Sequence, residues 1–145
     1  MITVKDILSE KGTQVWTISP DAKVLDALKL MAAKGVGALI VFEKDEIVGI
    51  MSERDYARKI ILMGRQSQDT PVRDIMTAPV YGVHFETTAD ECMALMTDKH
   101  IRHLPVCKDG KLAGIISIGD VVKAIIGQQK VTIENLENYI MGKYQ

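Results

Sequence analysis

Apolar residues recur along the chain in two registers. Val24, Ala27, Leu28 and Met31 stand at i, i+3, i+4 and i+7, which predicts an amphipathic helix over residues 23–34. Ala89, Cys92, Met93 and Met96 repeat the pattern and predict a helix over 88–99. A short strand precedes each helix (15–19 and 81–84) and an apolar strand follows it (38–42 and 103–107). Lys44-Asp45-Glu46 and Lys108-Asp109-Gly110 then read as tight turns, the Asp-Gly pair being a hairpin signal. A third strand (47–52 and 111–117) leads into a last helix (53–63 and 118–126), with Gly64 and Gly127 as expected stops. Gly35 is a good left-handed stop for the first long helix; His100 in its place is a weaker one.

The order strand–helix–strand–strand–helix thus occurs twice, and the two copies align residue by residue. At a shift of 65, Leu30-Met31 falls on Leu95-Met96, Lys34 on Lys99 and Gly49-Ile50 on Gly114-Ile115. Ser52 falls on Ser117 and Asp55 on Asp120, with no gap from 17–56 against 82–121. A second echo precedes each copy: Val4-Lys5-Asp6-Ile7-Leu8 resembles Val72-Arg73-Asp74-Ile75-Met76. The helical crossover predicts parallel pairing of the first two strands, and the hairpin antiparallel pairing of the last two. A half of about sixty residues builds only a marginal core. The expected fold is therefore α+β: two pseudo-twofold-related β-α-β-β-α motifs packed through their sheets, with clefts between them. The expected division is 1–64 as motif one with an N-terminal helix, 65–71 as a polar linker, 72–127 as motif two and 128–145 as a C-terminal amphipathic helix. Thr70-Pro71 reads as a capped helix entry. The apolar residues at 133, 136, 139 and 140 make the tail helix a candidate dimer or partner contact.

Composition narrows the function. Hydrophobic residues are 47% and charged residues 26% of 145, ordinary for a soluble globule, and aromatics are only 5%. Eighteen basic against 19 acidic residues leave a net charge of −1, which offers no footprint for nucleic acid or an anionic membrane. The apolar stretch 35–42 is too short to span a bilayer, and Lys5 and Asp6 interrupt any signal-peptide core. Cys92 and Cys107 have no C-x-x-C spacing and read as reduced thiols, so a cytoplasmic location is expected.

Two constellations carry candidate chemistry. Ser52-Glu53-Arg54-Asp55 and Ser117-Ile118-Gly119-Asp120 sit where the third strand meets the last helix, and the pseudosymmetry is expected to open both onto a shared crevice. Ser-x-x-Asp there is a capping-box device. The same groups can bind a ligand, the Asp accepting from ribose hydroxyls while the Ser and free N–H groups face a phosphate. Ile101-Arg102-His103-Leu104-Pro105-Val106 places a phosphate-competent fork and a ring donor at the start of an apolar strand. Arg102 also reads as a solvated strand-edge residue, and His103 as packing. The first copy has Gly37-Ala38 there, so its cleft is expected to lack that cation, but it carries Arg54 beside the Asp where the second has Gly119, and the two sites are expected to differ. No Walker A run, dinucleotide fingerprint, metal spacing or nucleophile elbow is found, and an enzyme is not expected.

Ile-Arg-His-Leu-Pro-Val, Gly-Ile-Ile-Ser-Ile-Gly-Asp-Val-Val and Gly-Ile-Met-Ser-Glu-Arg-Asp together resemble the cystathionine-β-synthase-type (CBS) domain family. The pair resembles the tandem called a Bateman module, over residues 4–126, with a looser fit at Gly35-Val36-Gly37-Ala38. The resemblance implies a disc of two motifs, often stacked as a homodimer of discs, that binds AMP, ADP, ATP, S-adenosylmethionine or NAD(H). It implies ribose contacts at Asp55 and Asp120 with Ser52 and Ser117 nearby, phosphate contacts at Arg54, Arg102 and His103, and a base framed by backbone at Ile18, Val83, Gly37-Ala38 and His103 to Pro105. Gly119 completes the second helix start. No cofactor is required; an adenine nucleotide is the expected ligand and an unknown protein effector the expected reader. The alternatives are an NAD(H) redox sensor, which needs Arg54 and Arg102 on one path, and a ligand-free oligomerisation scaffold.

Overall fold

The structure is a computed structural model that describes residues 1–141, with the side chains of 131–133 and 137–141 outside the description. Helix α1 (Val4–Lys11) starts at a reciprocal cap between Thr3 and Asp6. Strand β1 (Thr17–Ile18), helix α2 (Val24–Lys34) and strands β2 (Ala38–Glu43) and β3 (Glu46–Ser52) follow. Helix α3 (Glu53–Tyr56) runs into a π-helical turn, Ala57–Ile61. After a 3-10 turn at Val72–Asp74 come helix α4 (Ala89–Lys99), strands β4 (His103–Lys108) and β5 (Lys111–Ser117) and helix α5 (Ile118–Met141).

The repeat is real in three dimensions. β1 lies parallel to β2, and β2 antiparallel to β3. β4 and β5 pair in the equivalent register: Ala38 faces Ser52 as His103 faces Ser117, with a bulge after Val41 and after Val106. Each hairpin turns through two left-handed residues, Lys44 and Asp45 at φ 52° and 62°, Asp109 and Gly110 at 53° and 76°. α2 buries Val24, Ala27 and Met31, and α4 buries Ala89, Cys92 and Met96, the faces read from periodicity. His100 takes the left-handed stop as Gly35 does.

Four expectations are corrected. The strand over 81–84 is only an isolated bridge, Val83 to Val106. In the first motif the Ile40 N–H donates to Trp16 O at 3.2 Å; the equivalent donor in the second motif is Pro105, which has no N–H. The helix over 53–63 becomes α3 plus the π-helical turn, with Leu62 N donating to Ala57 O. Thr70-Pro71 is no capped entry, because the Thr70 hydroxyl donates to Gln66 O at 2.8 Å and Pro71 precedes a 3-10 turn without a side-chain cap. Gly127 does not end a helix: α5 runs on through it to Met141, so the tail helix over 128–141 is a continuation of α5, and 142–145 lie outside the described residues. Of the apolar tail positions, Leu136 is exposed; the side chains at 133, 139 and 140 lie outside the description. A Cβ at Gly127 meets no atom within 4 Å. Gly127→Ala is therefore expected to stabilise the protein by up to ~1 kcal/mol, read as a rise in thermal midpoint, because alanine is the better residue inside a helix.

Packing exchanges the two arms that precede the motifs. One core joins Val24, Ala27, Met31, Leu39, Val41, Met51 and Ile60 to Val72 and Ile75 from the arm before motif two. The other joins Ala89, Cys92, Met96, Leu104, Val106, Ile116 and Val121 to Val4, Ile7 and Leu8 of α1. So α1 precedes the first motif in sequence but belongs by packing to the second. Each arm crosses a strand at a glycine. A Cβ at Gly49 would lie 2.6 Å from Met76 Sδ, and one at Gly114 would lie 3.0 Å from Leu8 Cδ1. Ile40 belongs to neither core, sits on the opposite face of β2 from Leu39 and Val41, and is still fully buried. The second face of that sheet is therefore covered too.

Candidate functional site

The two Ser-x-x-Asp motifs form the same capping box. Asp55 Oδ2 accepts from Ser52 N at 2.9 Å and from Ser52 Oγ at 3.1 Å, while Asp55 N donates to Ser52 Oγ at 3.2 Å. Asp120 Oδ2 accepts from Ser117 N at 2.8 Å, and Asp120 N donates to Ser117 Oγ at 3.1 Å. The strand before each pair ties back to the helix start: Glu53 N donates to Gly37 O, and Ile118 N to Arg102 O at 2.8 Å. Capping is thus present in both halves, and what lies around each acid decides what else it does.

Asp55 is buried at 8% exposure. Its Oδ1 accepts from Thr77 Oγ1 at 2.9 Å and lies 3.2 Å from Lys59 Nζ, which also donates to Ile75 O. It opens on a cavity of ≈ 390 Å³ formed by both halves. Gly37, Ser52, Glu53, Arg54 and Asp55 line it from motif one, and Ile101, Arg102 and His103 from motif two. The Arg102 side chain therefore does not serve the acid of its own motif. It faces Arg54, and this corrects the expectation that the cleft holding Asp55 lacks that cation.

Five cations line this cavity, Arg54, Arg58, Lys59, Lys99 and Arg102, against the carboxylates of Glu53 and Asp55. The cations crowd one another: the Arg54 guanidinium is held below its ordinary value, first by Arg102 and then by Arg58. Burial pushes the His103 imidazole down, with Lys11 and Arg102 pushing the same way against Asp120 and Asp55, which disfavours the charged ring. An anion with several negative oxygens relieves such a cluster.

Asp120 is placed elsewhere. It lines a second cavity, ≈ 1150 Å³, between α1 and α5, together with Gly119 and Lys11. The two acids therefore do not share a crevice, which corrects that expectation. Partial burial raises the Asp120 carboxyl, but the bonds from Lys11 and Ser117 outweigh it and hold the group below the usual carboxylate range. Ile18, Ala38, Val83, Pro105 and Ser117 line neither cavity. Ala38, Val83 and Pro105 are buried, and Ser117 is spent as a cap.

Residues that the motifs do not reveal also reach the first cavity: Arg58, Lys59, Thr77, Pro79, Tyr81, Lys99 and His100. One signal was there to find. Lys99 Nζ lies 5.1 Å from the Tyr81 ring centre, and Lys34 Nζ lies 4.4 Å from that of Trp16. The pairs are related by the same shift of 65, so a lysine over an aromatic ring is part of the repeat.

The family model of the CBS domain matches residues 4–62 and again 72–127. The chain belongs to the CBS-domain family. This CBS pair is 42% identical to the CBS domain-containing protein CBSX3, mitochondrial, of Arabidopsis thaliana, over 98% of this chain and 73% of the relative. It is 52% identical to a putative signal-transduction protein with CBS domains from Burkholderia ambifaria, with a TM-score of 0.83 over 88% of this chain and 96% of the other. The CBS pair of protein MJ0100, solved with 5'-methylthioadenosine and S-adenosyl-L-methionine, shares the fold at 22% identity and a TM-score of 0.77, over 88% of this chain and 98% of that one. No helix among the described residues of this CBS pair is long and apolar enough to cross a membrane, and no group of three or more His, Cys, Asp or Glu among them is placed to hold a metal.

Proposed function

We propose that this CBS pair is a regulatory module, not an enzyme, that binds the polyphosphate of an adenine nucleotide in the cavity between its motifs. The observation that carries the reading is the meeting of Arg54 and Arg102 across one cleft, with Arg58, Lys59 and Lys99 around them. Arg54 and Arg102 take phosphate oxygens, with His103 beside them. Asp55, with Ser52 behind it, takes ribose hydroxyls in exchange for Thr77. Gly37 leaves room at the mouth, where even an added Cβ would stay 3.9 Å from His103 Nε2. Ligand binding shifts the two motifs against each other only by its difference in affinity between their arrangements. A protein effector reads that shift. The exposed Ile118, Val122 and Ile126 follow one face of α5 and support a homodimer through that helix. The thiols fit a reducing compartment such as the cytoplasm: Cys92 is buried and pushed up to about 11 by that burial, far from thiolate reactivity at neutral pH.

Thermal-shift titration tests the reading. ATP at a hundred times its dissociation constant is expected to add about 2.7 kcal/mol of stability. At equal concentration AMP gives a smaller shift and S-adenosylmethionine, itself cationic, the least. If no phosphate-bearing adenine nucleotide moves the midpoint, the proposal fails. The facing arginines also meet the condition for a bridging diphosphate, so NADH is the second ligand to test. NADH displacing ATP at lower concentration assigns the site to the dinucleotide.

A further inference from the structure

The two acids are equivalent in sequence and in their caps, but not in what neutralises them. Lys59 reaches Asp55 from the same helical stretch, four residues on. The equivalent position in motif two is Ala124. There the cation comes from outside the repeat: Lys11, at the end of α1, donates to Asp120 Oδ2 at 2.6 Å and to Ile115 O at 2.8 Å. The rest of α1 is docked by Val4 N on Thr87 O at 2.8 Å, by Ala89 N on Ile2 O at 2.8 Å and by Leu8 over Gly114. Lys11 and Asp120 keep 33% and 24% of their side-chain surface exposed, so the pair is open to competition by solvent and solutes.

We propose that Lys11 is a latch: it occupies the acid of the second motif from outside the repeat, so that α1 withholds that acid from nucleotide until Lys11 is drawn away. The latch accounts for the different settings of two otherwise equivalent acids. It rests on the proposed function, in which such an acid meets ribose, and it adds that only one of the two is offered to a ligand at rest. Anything that draws Lys11 away frees Asp120 and releases the C-terminal end of α1 together, because the same ammonium group ties that end to Ile115 O and to Asp120.

The test measures ATP stoichiometry by calorimetry and amide hydrogen exchange over residues 4–11, in the intact wild-type protein and in Lys11→Met and Lys11→Arg. Wild type is expected to bind one ATP per chain. Lys11→Met is expected to bind two and to exchange α1 amides at least tenfold faster, and Lys11→Arg to behave as wild type. Two ATP per wild-type chain would overturn the latch. So would one ATP in Lys11→Met, or α1 exchange unchanged by that substitution. If no form binds ATP, the proposed nucleotide site fails, and the latch stands or falls on the exchange rates alone: loosening in Lys11→Met but not in Lys11→Arg supports it, and equal rates overturn it.

Discussion

Arg102→Ala is expected to raise the dissociation constant for ATP by roughly ten- to hundredfold. A charged hydrogen bond contributes ~1.5–3 kcal/mol, and each 1.4 kcal/mol is about a factor of ten. Arg102 is the arginine that motif two contributes to the cleft, and its removal leaves Arg54 without its counterpart across the gap. The fold is expected to survive, because the fixed part of Arg102 is its backbone carbonyl, which accepts from Ile118 N and remains in alanine. Arg102→Lys keeps the charge but loses the planar fork, and is expected to fall between. Arg73→Ala serves as control, since Arg73 pairs with Asp21 and Glu43 away from the cavity. Calorimetric titration of the three variants decides the matter: an Arg102→Ala affinity equal to that of Arg73→Ala would remove Arg102 from the site.

The largest effect on stability is expected at Gly49. A Cβ there would lie 2.6 Å from Met76 Sδ, 2.9 Å from its Cγ and 3.2 Å from its Cβ. The far end of a methionine can swing aside, but its Cβ is fixed to the arm that brings Val72 and Ile75 into the first core. Gly49→Ala therefore has to push the arm off the strand, where Thr77 N donates to Ile50 O at 2.8 Å. Overpacking of this kind costs ~1–3 kcal/mol. Urea denaturation of Gly49→Ala beside Gly127→Ala sets the loss against the expected gain. A Gly49→Ala midpoint at or above wild type would show that the arm yields freely.

The parts of this fold that were legible in the sequence are those that local pattern alone decides. The faces of α2 and α4 follow from the spacing of Val24, Ala27 and Met31 and of Ala89, Cys92 and Met96. The turns at Asp45 and Asp109 follow from residues that tolerate left-handed backbone. Pro105 was visible too, but its effect was not: the missing N–H matters only once it is known which carbonyl would have received it. The site was legible by residue type and illegible by pairing. Asp55, Arg54, Arg102 and His103 carried the right chemistry in the sequence, and only the fold shows that Arg102 lines the cavity on which the other motif's acid opens. Lys11 could not be found from spacing, since it meets Asp120 across 109 positions. At Gly127 the neighbours outweighed the glycine: Gln128, Gln129 and Lys130 are all good helix formers and carry the helix on.

The exchange of arms binds the two copies more tightly than their likeness requires. The stretch ahead of the first copy finishes the second, and the stretch ahead of the second finishes the first. Neither copy can be excised with its interior whole, and a cut in 65–71 yields two pieces that each hold what the other lacks.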